Sequence, residues 1–124
     1  MAVLVNEGLE FLAKLACGES VDPFTDIMLG SGTTAEGNTC AYASMTEITT
    51  NGGEKATCDT AAYEADYKAK WIHLFTFTGA LAINQVAICN TAEKFLVYHK
   101  FGATKNVDDG ETLQLTFVMT ESRP

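Results

Sequence analysis

The chain has 124 residues, one domain's worth, and at 47% hydrophobic against 19% charged residues it can bury a core without disulfide or metal staples. With 16 acidic and 8 basic residues its formal net charge is −8, the wrong sign for neutralising phosphates, so nucleic acid is not an expected partner. The opening "MAVLV" carries no basic region and is too short for a signal peptide or a membrane span, so the expectation is a protein made in the cytoplasm with no membrane partner.

From Asn6, "NEGLEFLAKLACG" offers an N-cap candidate, an acid in the first turn and apolar residues Leu9, Leu12, Ala13 and Ala16 at helical spacing. Gly18 is the stop, which predicts a helix over about 7–17. Phe11 and Leu15 widen its apolar face, and Pro23 then disfavours helix at Asp22.

After Phe24 the period falls from 3.6 to 2. Residues 25–29 read as a strand, 30–43 as a long hydroxyl-rich loop, and 44–50 as a weak strand closed by the turn Asn51-Gly52-Gly53. In residues 65–78, Tyr67, Ala69, Trp71, His73, Phe75 and Phe77 share one face, opposite Lys68, Lys70, Thr76 and Thr78. Ile72 and Leu74 interrupt the polar face, so the middle of this strand is expected to be covered on both sides.

Three more strands follow at 81–89, 95–101 and 112–120, separated by "NTAEK" and "GATKNVDDGE". One helix followed only by strands predicts a mainly β fold, an antiparallel β-sandwich or jelly-roll-like domain over 1–124. Its expected core is Leu29, Trp71, Phe75, Phe77, Ile83, Ile88, Leu113, Leu115 and Phe117, with Leu12 and Leu15 of the helix against it or against a neighbour.

No segment concentrates catalytic chemistry. Gly30-Ser31-Gly32-Thr33-Thr34 follows a strand as a phosphate loop would, but lacks the lysine and the following helix that such a loop requires. His73 and His99 are the only imidazoles, and no nucleophile signature such as GxSxG accompanies either. Asp108, Asp109 and Glu111 lack the spacing of a calcium loop and read as a solvated turn, and Asp22, Asp26 and Glu36 read as loop polarity. Cys17, Cys40, Cys58 and Cys89 contain no CxxC pair; they read as free thiols, with a Cys40–Cys58 disulfide as the alternative. The expectation is therefore no enzyme, no metal and no cofactor.

The stretches "VNEGLEFLAKL", "DPFTDIMLGSGTTAEGNT", "FTFTGALAINQVAICN" and "VDDGETLQLTF" together resemble a family of small structural proteins of tailed bacteriophages, labelled tail fibre or virion structural proteins. The specific part is the order: a helix, a strand ending in LGxGTTA, then FTxTGALAIN, then a V-x-x-G-[DE]-T-L turn into the last strand. The chain departs from that pattern at "CAYASMTE" and at "TAEK". The resemblance implies a virion component that assembles with itself or with a major capsid or tail protein.

A hydroxyl-rich loop with Glu36 as its one charged residue and an apolar, β-branched N-terminus suit such assembly, because they can order on a partner at low desolvation cost. The expected interface is Ala2, Val3, Leu4, Val5, Gly30, Ser31, Gly32, Thr33, Thr34 and Tyr42. The alternative for Ala2–Val5 is a strand within the same subunit. The rival function is a carbohydrate-binding module that meets a host glycan through Trp71, Tyr42 and Tyr63.

Overall fold

The computed structural model describes residues 2–121; Met1 of the "MAVLV" segment and residues 122–124 lie outside the described residues. The fold is mainly β, with 46% strand, two antiparallel sheets and one helix. Strands β1 (Val3–Leu4), β2 (Asp26–Gly30), β3 (Ala56–Thr57), β6 (Leu81–Cys89) and β7 (Phe95–Val107) form a five-stranded sheet in the order β1-β7-β6-β2-β3. Strands β4 (Thr60–Glu64), β5 (Lys68–Thr76) and β8 (Thr112–Thr120) form a three-stranded sheet in the order β4-β5-β8.

Helix α1 spans Asn6–Ala16. Val5, not Asn6, is the N-cap, and no side chain caps the helix: Val5 is buried, its carbonyl accepts from Leu9 N, and Asn6 N donates instead to Asn38 O at 2.7 Å. The stop at Gly18 is as expected. Gly18 takes φ +84°, Gly18 N donates to Leu15 O and Glu19 N to Lys14 O, the paired bonds of a Schellman ending. Gly8 is the buried helix residue, because a Cβ there would press on Leu96 of β7. That contact turns Phe11 and Leu12 toward the core, while Leu9 and Leu15, both expected on the packed face, are exposed.

The core between the sheets takes Ile27 and Leu29 from β2, Trp71, Phe75 and the adjoining Phe77 from the β5 side, and Ile83, Val86 and Ile88 from β6. Trp71 also donates its Nε1–H to Phe24 O at 2.7 Å, which satisfies the buried indole. Leu113, Leu115 and Phe117 were expected in this core, yet they are only half-buried, because β8 is an edge strand with no neighbour among the described residues on its far side. The outer face of β5 is also uncovered among the described residues: Leu74 is exposed there and Ile72 half-buried. The expectation of cover on both sides holds instead for the other sheet.

Several boundaries differ from the sequence reading. Residues 44–50 follow out of a 3₁₀ turn, Tyr42–Ser44, and make a single bridge from Glu47 to Gly30 rather than a strand. Residues 65–67 are the β4–β5 hairpin turn, with Asp66 and Tyr67 both at φ 64°. Strand β7 runs past Phe101 to Val107, since Lys105, Asn106 and Val107 pair with Ile83, Ala82 and Leu81 beyond an irregularity in register. Strands β3 and β4 carry no apolar alternation, and β4 is exposed along its whole length.

Phe75 is 2% exposed and Leu15 is 44% exposed, which sets a contrast in denaturant unfolding. Phe75→Ala is expected to cost about 3–5 kcal/mol, and Leu15→Ala less than about 0.5 kcal/mol. Equal midpoints for the two variants would show the burial of β5 to be misassigned.

Candidate functional site

The loop from Ser31 to Met45 lies across the outer face of the five-stranded sheet. There it covers a second apolar cluster, in which Cys40 and Met45 of the loop meet Met28, Ala87, Phe95 and Tyr98. A loop can cover a sheet only if its backbone polar groups find partners, and one buried side chain supplies three of them. Gln85 of β6 is 0% exposed; its Oε1 accepts from Gly32 N at 2.8 Å and Thr46 N at 3.1 Å. Its Nε2 donates to Ser44 O at 2.9 Å and to the Tyr98 hydroxyl at 2.8 Å. Tyr98 in turn donates to Thr34 O, so every donor and acceptor site of the amide is used.

This cluster accounts for the glycines. A Cβ at Gly30 would sit on Gln85 Oε1 and on Met45 Cγ, and one at Gly32 would come within 2.7 Å of the same oxygen. Both positions need hydrogen as a side chain for close approach to the amide, not for a phosphate.

Glu36 ties the next part of the loop to β7. Its Oε1 accepts from Lys100 N at 2.9 Å and lies 2.6 Å from His99 Nδ1. Burial alone would raise this carboxyl, but the Lys100 N–H and the neighbouring His99 outweigh it and hold the pKa below its usual value. Tyr42, at the far end of the loop, donates to Glu47 Oε1 at 2.7 Å, and that bond to a carboxylate pushes its phenol up to about 12.

The expected interface residues therefore divide. Val5 and Gly30 are buried inside the subunit and serve the fold, and Gly32 is half-buried against Gln85. Val3 and Leu4 pair with Tyr98 and Val97 as β1, so the same-subunit strand is the arrangement seen. Ala2, Leu4, Ser31, Thr33, Thr34 and Tyr42 keep exposed surface. Residues 30–43 are thus a fastened cover with an exposed hydroxyl-rich outer side, not a free arm.

Of the three aromatics considered for sugar stacking, Trp71 is in the core, and Tyr42 and Tyr63 lie on different sheets' outer regions, which do not form one platform. The structure instead gathers Tyr63 and Tyr67 with Lys68, Ala69, Met119 and Glu121 around a shallow pocket of about 230 Å³. An apolar groove opens between the β1–β7 edge and β8, where Ala2, Leu4 and Val97 face Phe117 and Met119.

The remaining polar candidates belong to the framework. Asp26 is buried in β2, 3.7 Å from Lys55 Nζ, which also donates to Asn90 O. Asp22 accepts from Thr91 Oγ1, and Asp59 receives Leu74 N while lying 3.4 Å from His73 Nδ1. Asp108 and Glu111 close a turn on themselves around Gly110. All four cysteines are free thiols. Burial pushes Cys58 up to about 11 and Cys89 up to about 12, so both are neutral near pH 7. Among the described residues no three His, Cys, Asp or Glu side chains gather as a metal-binding set.

Gln85 and Tyr98 were not singled out by the sequence reading, and Tyr67, expected on the face shared with Trp71 and Phe75, is instead exposed in the hairpin turn. A signal for Gln85 existed: Asn84-Gln85 interrupts an otherwise apolar run in "LAINQVAIC". No protein-family model, curated protein or solved structure matches the chain.

Because Gln85 holds four partners, Gln85→Ala is expected to cost on the order of 3 kcal/mol through orphaned buried groups. Hydrogen exchange should then rise at Gly32 and Thr46 while the β5 amides stay protected. Gln85→Glu should not restore protection, because a carboxylate cannot donate to Ser44 O or Tyr98. Unchanged exchange in both variants would remove Gln85 as the fastening.

Proposed function

We propose that the protein is a non-enzymatic structural component of a tailed-phage particle, a capsid decoration or a tail or fibre protein, acting through assembly with itself or with a major capsid or tail protein. The observation that carries this reading is that the separate stretches behind the family resemblance are one connected frame in three dimensions. Gly32 of the "LGSGTT" stretch bonds Gln85 of "FTFTGALAINQ". Phe77 of that second stretch exchanges backbone bonds with the "DDGET" turn, Phe77 N to Glu111 O and Gly110 N to Phe77 O. Residues that specify a shared frame in this way support a shared scaffold. The exposed, uncharged side of residues 31–43 supports assembly as its use, since such a surface is desolvated at low cost. Mass spectrometry of purified particles tests the reading: the chain should be recovered in stoichiometric amount from intact virions. Recovery only from infected-cell lysate, never from particles, overturns it.

A second reading, recognition of a surface glycan, is favoured by the pocket at the β4–β5 hairpin. Tyr63 is 75% exposed and Tyr67 66% exposed, and with Ala69 and Met119 they line an apolar pocket. Exposed aromatic rings beside an apolar pocket suit the apolar face of a sugar ring. On a glycan array, binding that is lost in both Tyr63→Ala and Tyr67→Ala would support this reading, and a blank array would reject it.

A further inference from the structure

Strand β8 is hydrogen-bonded to β5 over all nine residues, Thr112 to Thr120, with no break in register. Its other side is the edge of the three-stranded sheet. Monomeric sheet proteins protect such edges with charge, proline, bulges or short length. The stretch "TLQLTFVMT" has no charged residue, no proline and no glycine. The other sheet edges among the described residues are protected: β1 and β3 have two residues each, and β4 has five and ends at Glu64, which pairs with Lys70. The stretch of β7 beyond its pairing with β1 carries Lys100, Gly102 and Lys105, which leaves β8 as the long edge with no such guard among the described residues.

We infer that β8 pairs antiparallel with β8 of a second copy about a two-fold axis at Thr116, joining two three-stranded sheets into one of six. The strand is self-complementary in that register. Thr112 comes opposite Thr120, Leu113 opposite Met119, Gln114 opposite Val118, Leu115 opposite Phe117, and Thr116 opposite itself. Each pairing keeps inward residues with inward residues, so the half-buried row Leu113, Leu115, Phe117 and Met119 gains the same row from the partner at cross-strand distance. Outward pairs are uncharged, with hydroxyl opposite hydroxyl at the centre and at both ends.

Charge selects the same edge. Each copy carries a formal charge of −8 and two copies repel, so close approach favours a surface with no charge at all. A two-fold contact uses the same patch on both copies, as closed dimers do. The partner would also cover Val118, which is 52% exposed beside the groove that Ala2 and Leu4 line. This inference deepens the assembly reading and rests on it only for its setting in a particle.

The test is sedimentation equilibrium of the full chain, which should give twice the monomer mass. Thr116→Lys sets two ammonium groups opposite each other at the axis and should weaken dimerisation at least tenfold, with the circular dichroism of the fold retained because Thr116 is exposed. In a Cys17→Ser background, Thr116→Cys should oxidise to a covalent dimer, whereas Gln114→Cys, facing Val118, should not. A monomer mass at every concentration overturns the pairing, as does a multimer in which Thr116→Cys fails to cross-link. A monomer that is nevertheless recovered from virions overturns this pairing and leaves the virion role standing. A β8-linked dimer never found in particles does the reverse.

Discussion

The buried amide of Gln85 is the constraint on which the outer half of the molecule depends. Removing a primary amide from water costs more than any one hydrogen bond returns, so the site is stable only when all of its donors and acceptors are met. Strand β6 carries Gln85 to the outer face between β2 and β7, where neither neighbour offers side-chain partners beyond Tyr98. The loop must therefore come to it. Gly32, Ser44 and Thr46 bond it directly, and Thr34 is held through Tyr98. The glycine at positions 30 and 32 follows from the same geometry, because a side chain there would occupy the space of the amide oxygen.

That cover makes the two sheets unequal. The five-stranded sheet is apolar on both faces, one against the other sheet and one against the loop, and β2 is buried at every position. The three-stranded sheet has a single packed face and ends on an open edge. Local opening is least costly where few buried contacts are lost, which places the mobile end of the molecule at β4 and its hairpin and the rigid end at β2, β6 and the first half of β7. The surfaces available to other molecules divide the same way: a hydroxyl-rich cover on the rigid side, and exposed tyrosines and a free strand edge on the other.

Tyr67 shows how the edge and the hairpin are linked. Its carbonyl accepts from Glu121 N, so the chain just past β8 is tied to the turn that presents the ring. An aromatic residue at positive φ is an uncommon conformation, and here the paired strands on either side of a three-residue turn impose it. A partner at β8 would therefore stiffen the tyrosine pocket as well, since both share Met119 and the bond at Glu121.

The sequence by itself determined the elements whose burial is one-sided and regular. Phe11, Leu12 and Gly18 marked the helix and its end, and the alternation through Trp71, Phe75 and Phe77 marked β5 and the face it buries. Where a segment is uniformly exposed there is no period to read, which is why β4, with every residue exposed, left no trace. The far half of β7 was hidden for a related reason: its polar residues pair through the backbone, and that pairing is chosen by Leu81–Ile83 rather than by its own side chains. Only the tertiary structure could decide the use of Gly30 and Gly32. The residue that requires them lies more than fifty positions further along, and a hydrogen-bond partner at that distance leaves no local pattern in either stretch.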